Sequence, residues 1–187
     1  MELALREGDR LAAGLGGPLR VHECCVGSGA IAVTLAAERP SWVLSASDIS
    51  APALETASRN ASRLVPAGRV GGPLALLIAN LLEGLSGPFD LILANPPYVE
   101  TALARELVAG WGEPLLALDG GPEGLDCLNR LVPAALARLA PRGLLLVEAD
   151  GSQASISRGL FTASGFVAVR SERDLSGIER VTIGEHP

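Results

Sequence analysis

Residues Asp90 to Glu100 read D-L-I-L-A-N-P-P-Y-V-E, and four of them are the types that could hold a flat polar group. Asn95 offers a carboxamide that both donates and accepts, while Pro96 and Pro97 offer carbonyls with no N–H of their own. Tyr98 adds an aromatic face against which a planar group can pack. Leu91, Ile92, Leu93 and Ala94 form an uninterrupted apolar run, which predicts a strand buried on both faces of a parallel sheet. Two prolines cannot continue the ladder, so the chain must leave the sheet at Asn95 with a stiffened exit. That places the amide and the ring at the carboxyl end of a strand, where open α/β sheets bind ligands. Taken alone, N-P-P-Y also describes a proline-rich turn whose Asn bonds locally.

A second constellation lies upstream. Gly27-Ser28-Gly29 stands between a predicted strand, Leu19–Val26, and a predicted helix, Ala30–Glu38, and Asp48 follows about 20 residues later at the end of a second strand. This is a nucleotide-binding arrangement in which the Asp48 carboxylate can accept from two ribose hydroxyls. Positions 27 to 32 read G-S-G-A-I-A and lack the third glycine of a dinucleotide turn, which weakens the case for NAD. Asn80, after a third strand, is placed either to bond an adenine edge or simply to end that strand. His22 falls inside the first strand and reads as a core histidine. Cys24 and Cys25 read as packing residues, because no His or Arg adjoins them in a pattern that would generate a thiolate.

The elements that must position these groups alternate between strand and helix. Strands are expected at 19–26, 43–46, 74–78, 91–94 and 144–148, and helices at 30–38, 53–64, 125–139 and 153–163. Ser50 can cap the second of those helices with Pro52 in its first turn. Pro133 should kink or divide the third, and a longer irregular region should follow Tyr98. Strands at 166–172 and 179–184, joined by a short turn, should pair antiparallel. Residues 1–18 could form a helix weakened by Gly8 and Gly14. The fold class is therefore α/β with a mainly parallel sheet.

Composition narrows the partners. The 187 residues carry a net charge of −6, and all fifteen basic residues are arginine. An acidic chain without a basic run is poorly suited to gripping a long nucleic acid. Three cysteines, two of them adjacent, make neither a disulfide framework nor a metal pattern, which suits a reducing cytoplasm. No apolar stretch is long enough to span a bilayer.

From about Val21 to Gly184 the chain resembles the class I S-adenosylmethionine-dependent methyltransferases, specifically the protein-glutamine N5-methyltransferases of the HemK/PrmC type. The matching segments are V-x-E-x-x-x-G-S-G-A-I-A from Val21, D-I-S from Asp48, N-P-P-Y from Asn95 and A-L-D-G-G-x-E-G-L from Ala117. P-R-G-L-L-L-V-E from Pro141, Gln153, and D-L-S-G-I-E-R-V from Asp174 complete them. The resemblance implies a Rossmann-like fold with a mainly parallel seven-stranded sheet, helices on both faces and an antiparallel C-terminal strand. It implies S-adenosyl-L-methionine held by Glu23, Cys25, Val26, Gly27, Ser28 and Gly29, together with Asp48, Ile49, Asn80 and Leu81. Asn95 would touch both cofactor and acceptor, and Asn95, Pro96, Pro97 and Tyr98 would form the catalytic group. The family's usual substrate is the glutamine of the Gly-Gly-Gln motif in peptide chain release factors.

Two residues depart from the family pattern. Cys25 stands where the first glycine of a G-x-G-x-G turn is expected, so a positive φ there would strain the chain by about 1 kcal/mol and crowd the cofactor's methionine end. Asn80 stands where the family usually has Asp. Residues 1–18 read as a remnant of an N-terminal helix or linker and 19–187 as the catalytic domain. The family's N-terminal helical substrate-docking domain is not among these residues, which reads either as a naturally short protein or as a catalytic fragment, with a further N-terminal domain or a partner chain as the two sources of a docking surface. Two rival functions accompany this reading: amine methylation of an adenine base, and a degenerate, cofactor-free protein-binding module.

Overall fold

A computed structural model describes residues 1–187, apart from the side chain of Trp111. The elements in order are α1 (Glu2–Ala12), β1 (Arg20–Cys24), α2 (Ala30–Glu38), β2 (Val43–Asp48), α3 (Ala51–Leu64), β3 (Ala75–Ile78) and β4 (Phe89–Ala94). There follow α4 (Thr101–Trp111), α5 (Leu115–Leu118), α6 (Asp126–Leu136), β5 (Leu139–Glu148), α7 (Ala154–Ser164), β6 (Val167–Arg173) and β7 (Glu179–Glu185). One seven-stranded sheet has the order β3-β2-β1-β4-β5-β7-β6. β7 runs antiparallel to both of its neighbours, and the other pairings are parallel.

The order reverses between β1 and β4. Chain leaving β1 goes toward β2, while chain leaving β4 goes the other way, which opens a crevice at their carboxyl ends. Cys24 pairs with Ala94 in register. The glycine turn and the N-P-P-Y segment therefore leave the sheet side by side, although about 70 residues separate them in sequence.

The central strands are buried on both faces, and their alternate residues feed two cores. Ile92 and Ala94 of β4 join Cys24, Leu131, Leu145, Val147 and Phe161 on one face. Leu91 and Leu93 join Val21, Leu35, Trp42, Leu144 and Ile183 on the other. Such fully buried leucines contribute about 1.5–3 kcal/mol each relative to exposure.

The structure sharpens four local expectations. The region after Tyr98 is not irregular throughout: it holds α4 and α5. Pro133 neither divides nor ends α6; its ring faces solvent, and packing of Leu128, Leu131 and Val132 outweighs one lost bond. β5 begins at Leu139, ahead of the Pro141-Arg142-Gly143 turn signal, because Phe89 pairs Leu139 across an irregularity in the ladder. Gly8 lies inside α1, where a Cβ would collide with the Trp42 ring. Close approach to Trp42 accounts for a glycine at this point of the helix. α1 itself is part of the packed body, with Ala4 in the second core and the Glu7 carboxylate 3.0 Å from Arg170 of β6.

Candidate active site

The glycine turn is built by hydrogen bonds to its backbone. Val26 N donates to the Ser47 carbonyl at 3.0 Å and Gly29 N to the Val26 carbonyl at 2.8 Å. The Asp48 carboxylate accepts from Gly27 N at 2.9 Å with one oxygen and from Ser50 N at 2.9 Å with the other. Asn60 of α3 donates to the Ser28 carbonyl at 2.9 Å. Gly27 has φ +52, and a Cβ built on it would meet nothing within 4 Å, so the turn faces open space. Ile49, 52% exposed, lies next to Asp48 and leaves apolar surface beside that opening.

Cys25 has φ +56, the left-handed conformation expected of the glycine it replaces. Its side chain packs against the core face that holds Cys24 and Leu131. Burial, with Cys127 as the next contributor, pushes its thiol up to about 12, so it is no nucleophile at neutral pH. Cys24 is fully buried and burial likewise raises its thiol well above the ordinary range.

Several residues expected around the cofactor point elsewhere. Glu23 is only 3% exposed and accepts the Ala32 N–H at the start of α2 at 2.6 Å. It therefore ties strand to helix beneath the turn, and burial pushes its carboxyl up to about 8. Val26 packs its side chain into the small core with Ala46 and Leu54, which leaves only its backbone for a ligand. Leu81 has φ +56 and a side chain in the first core, which likewise leaves only its backbone for a ligand. Asn80 is half-buried and its carbonyl accepts from Glu83 N at 3.1 Å. His22 lies in the core as expected, between the Ser45 and Ser47 hydroxyls at 2.9 and 3.0 Å. Burial holds its imidazole at about 4, and it is neutral at pH 7.

On the other side of the crevice Asn95 is exposed and Pro96 is buried. None of the hydrogen bonds among the described residues engages the Asn95 side chain, so its carboxamide is open to an incoming group. Tyr98 is half-buried, and burial, then Glu148, raises its phenol above the ordinary value. The segment is held from behind. Val99 N donates to the Leu118 carbonyl at 2.9 Å, and Gly120 N returns the bond to the Val99 carbonyl at 2.8 Å. Asp119 accepts from the Thr101 hydroxyl at 2.6 Å and from Gly121 N at 2.9 Å. Gln153 donates to the Tyr98 carbonyl at 3.0 Å.

Sequence reasoning expected Asp48, Gly27, Asn95 and Tyr98 at one crevice, and they lie at or just after the carboxyl ends of the neighbouring strands β1, β2 and β4. It assigned no role to Asp119, Gly120, Gly124, Gln153 or Arg180, although these lie within its quoted motifs. Their only signal was motif membership, since their partners are remote in sequence.

Chemically, the crevice offers an acidic, glycine-lined half and an amide-and-carbonyl half. The first fits a nucleoside with ribose hydroxyls: the turn leaves room at Gly27, Asp48 stands at the strand end, and Ile49 is exposed. The second fits a planar group bearing N–H donors.

The family model described as "Methyltransferase small domain" matches residues 19–111. A release factor glutamine methyltransferase of Neisseria gonorrhoeae is 40% identical over 172 residues, covering 89% of this chain and 60% of that protein. The enzyme of the same name from Bradyrhizobium diazoefficiens is 42% identical over 164 residues, covering 86% of this chain and 54% of that protein. The chain thus spans a little over half the length of these curated relatives. Among solved structures, a methyltransferase from Pyrococcus furiosus superposes with TM-score 0.65 at 18% identity, covering 98% of this chain and 82% of that one. The catalytic domain of hMettl16, in complex with an RNA hairpin, gives 0.70 at 15% identity, covering 98% and 69%. These two likenesses establish the fold alone.

Proposed function

We infer, for a chain that belongs to the class I methyltransferase family of the HemK/PrmC type, that it transfers a methyl group to the side-chain amide of a protein glutamine. The proposed substrate is the Gly-Gly-Gln segment of a peptide chain release factor. The observation that carries this reading is the pairing of Cys24 with Ala94, which sets the cofactor turn and the Asn95 amide at one level of the sheet. The proposed cofactor-holding groups are the Gly27–Gly29 backbone, Asp48 and Ile49, with Asn80 at the far end. When bound there, S-adenosylmethionine supplies a methyl on a sulfonium, which is already a good leaving group.

The harder task falls to the chain's own residues. An amide nitrogen is a poor nucleophile because its lone pair is delocalised into the carbonyl. The Asn95 side-chain oxygen and the Pro96 carbonyl would accept its two hydrogens and so fix where the nitrogen lies. As positive charge develops on the nitrogen, those bonds strengthen, so they favour the transition state over the ground state. Tyr98 packs on the flat amide and keeps water away. No general base is needed before transfer, because the proton becomes acidic only as the new N–C bond forms at the expense of the methyl–sulfur bond; it would then leave along its hydrogen bond, and so to solvent, as the neutral thioether departs.

The test is incorporation of tritiated methyl into a Gly-Gly-Gln peptide, with a Gln→Ala peptide as the blank. Label in the first and none in the second is expected. Transfer to an adenine-containing oligonucleotide instead would reassign the acceptor.

A further inference from the structure

Pro96 and Pro97 make the acceptor segment stiff, but they also remove two of the backbone donors that would normally fasten a loop. The segment must therefore be fixed through its carbonyls and through Val99. One side chain enters that arrangement. Gln153 Nε2 donates to the Tyr98 carbonyl at 3.0 Å and to the Gly124 carbonyl at 3.2 Å, and Gln153 Oε1 accepts from Asp150 N at 3.3 Å. A single carboxamide thereby joins the turn after β4, the turn before α6 and the turn after β5.

The packing around it is close. A Cβ on Gly124 would collide with the Tyr98 carbonyl and come within 2.7 Å of Gln153 Nε2, and one on Gly120 would come within 2.8 Å of Tyr98 Cα. Asp150 is anchored in turn. Its carboxylate accepts from Ser152 N at 2.9 Å and from Arg180 Nη1 of β7 at 2.9 Å. Arg180 Nε also reaches Asp174 at 3.4 Å, and Asp174 accepts from Ser176 N and Ile178 N within its own hairpin. A continuous run of contacts leads from the β6–β7 hairpin through Arg180, Asp150 and Gln153 to Tyr98.

We propose that Gln153 is a positioning residue for the acceptor segment, and that the Arg180–Asp150 pair holds the turn from which it acts. The proposal rests on the amide-methylation reading above and names the residues that give the acceptor group its geometry. None of the three touches the acceptor. They act by fixing where Tyr98 lies, and a displacement of about 1 Å at such a site can cost on the order of 10²-fold in rate.

Tyr98 is the only tyrosine in the chain, so its phenol can be followed without interference from another. The experiment compares the full chain with Gln153→Ala, Gln153→Glu and Arg180→Ala. Three quantities are read: the alkaline absorbance titration of Tyr98, cofactor affinity by calorimetry, and kcat on a Gly-Gly-Gln peptide. In Gln153→Ala the phenol should titrate closer to its ordinary value as the segment loosens. Its kcat should fall about 10- to 100-fold with cofactor affinity within about twofold. Arg180→Ala should lower kcat less, because Ser152 still holds Asp150; its phenol is not read, since Arg180 itself lowers it by charge. Gln153→Glu keeps the shape but loses both amide hydrogens; its kcat and cofactor affinity should match those of the alanine variant, and these two readouts decide the matter if that variant does not fold, because the added carboxylate raises the phenol by charge alone. An unmoved Tyr98 titration, a kcat within about twofold of the parent, or cofactor affinity falling in step with kcat would each overturn the proposal. If the parent chain methylates no peptide, the functional reading fails separately, and the Tyr98 titration alone decides the brace.

Discussion

The Asp48 carboxylate accepts the Gly27 N–H at 2.9 Å across a separation of 21 residues. The same carboxylate caps the approach to α3 through Ser50 N at 2.9 Å. Asp48 therefore shapes the glycine turn as well as standing where we propose the ribose. Asp48→Ala should weaken cofactor binding by about 1–3 kcal/mol, the range for removing hydrogen bonds to a charged group. Asp48→Asn, which keeps one accepting oxygen, should lose less. Calorimetric titration with S-adenosylmethionine checks both, and unchanged affinity in the alanine variant removes Asp48 from the site.

Cys25 holds φ +56, a conformation that costs a residue with a Cβ about 1 kcal/mol. Cys25→Gly should bind cofactor at least as tightly as the parent chain. Glycine also loosens the unfolded chain, so the net change in thermal stability should be small. Clearly weaker titration in the glycine variant would identify the cysteine as a contact the site depends on.

Asn95 is exposed at the end of β4. Asn95→Ala should lower kcat by about 10²–10³-fold, as for loss of one oriented group that acts in the transition state. Cofactor affinity should change little. Single-turnover methylation of the peptide measures the first quantity and calorimetry the second. Near-normal kcat would take Asn95 out of the mechanism.

Two buried titrating groups give the stability a pH profile with opposed parts. His22 is held at about 4 in the folded chain against about 6.5 unfolded. Unfolded chains then bind the extra proton between these values, and stability falls as pH drops through that window. Glu23 is raised to about 8, so the folded state keeps a proton that the unfolded state releases above about 4.5. Its contribution is present at low pH and is lost as pH rises toward 8. The two slopes oppose each other below about pH 6.5, and between about pH 6.5 and 8 the Glu23 slope dominates, before the buried thiols add to it at higher pH. Denaturant titrations should show stability declining between about pH 6.5 and 8, by at most about 2 kcal/mol. Glu23→Gln, whose carbonyl can still accept from Ala32 N, should flatten that decline. A persistent decline in the glutamine variant would assign it to another group.

Local sequence was enough wherever local physics decides. Apolar runs such as Leu91–Ala94 specify buried parallel strands, since a buried strand needs apolar residues on both sides. Ser50 and Pro52 marked the start of α3 because an N-cap acceptor and a preset φ belong to that position alone. Alternation of strand and helix implied the class, and the short turn after residue 173 implied an antiparallel end. Register was beyond reach: that Cys24 lies opposite Ala94 depends on how two distant strands slide past each other. So were the fates of Glu23, Val26 and Leu81, whose side chains turn into the core although the first two adjoin the glycine turn in sequence. The brace behind Tyr98 was hidden for the same reason. Gln153 lies 55 residues from the carbonyl it holds, and only the packing of three turns at one edge of the crevice brings its carboxamide there.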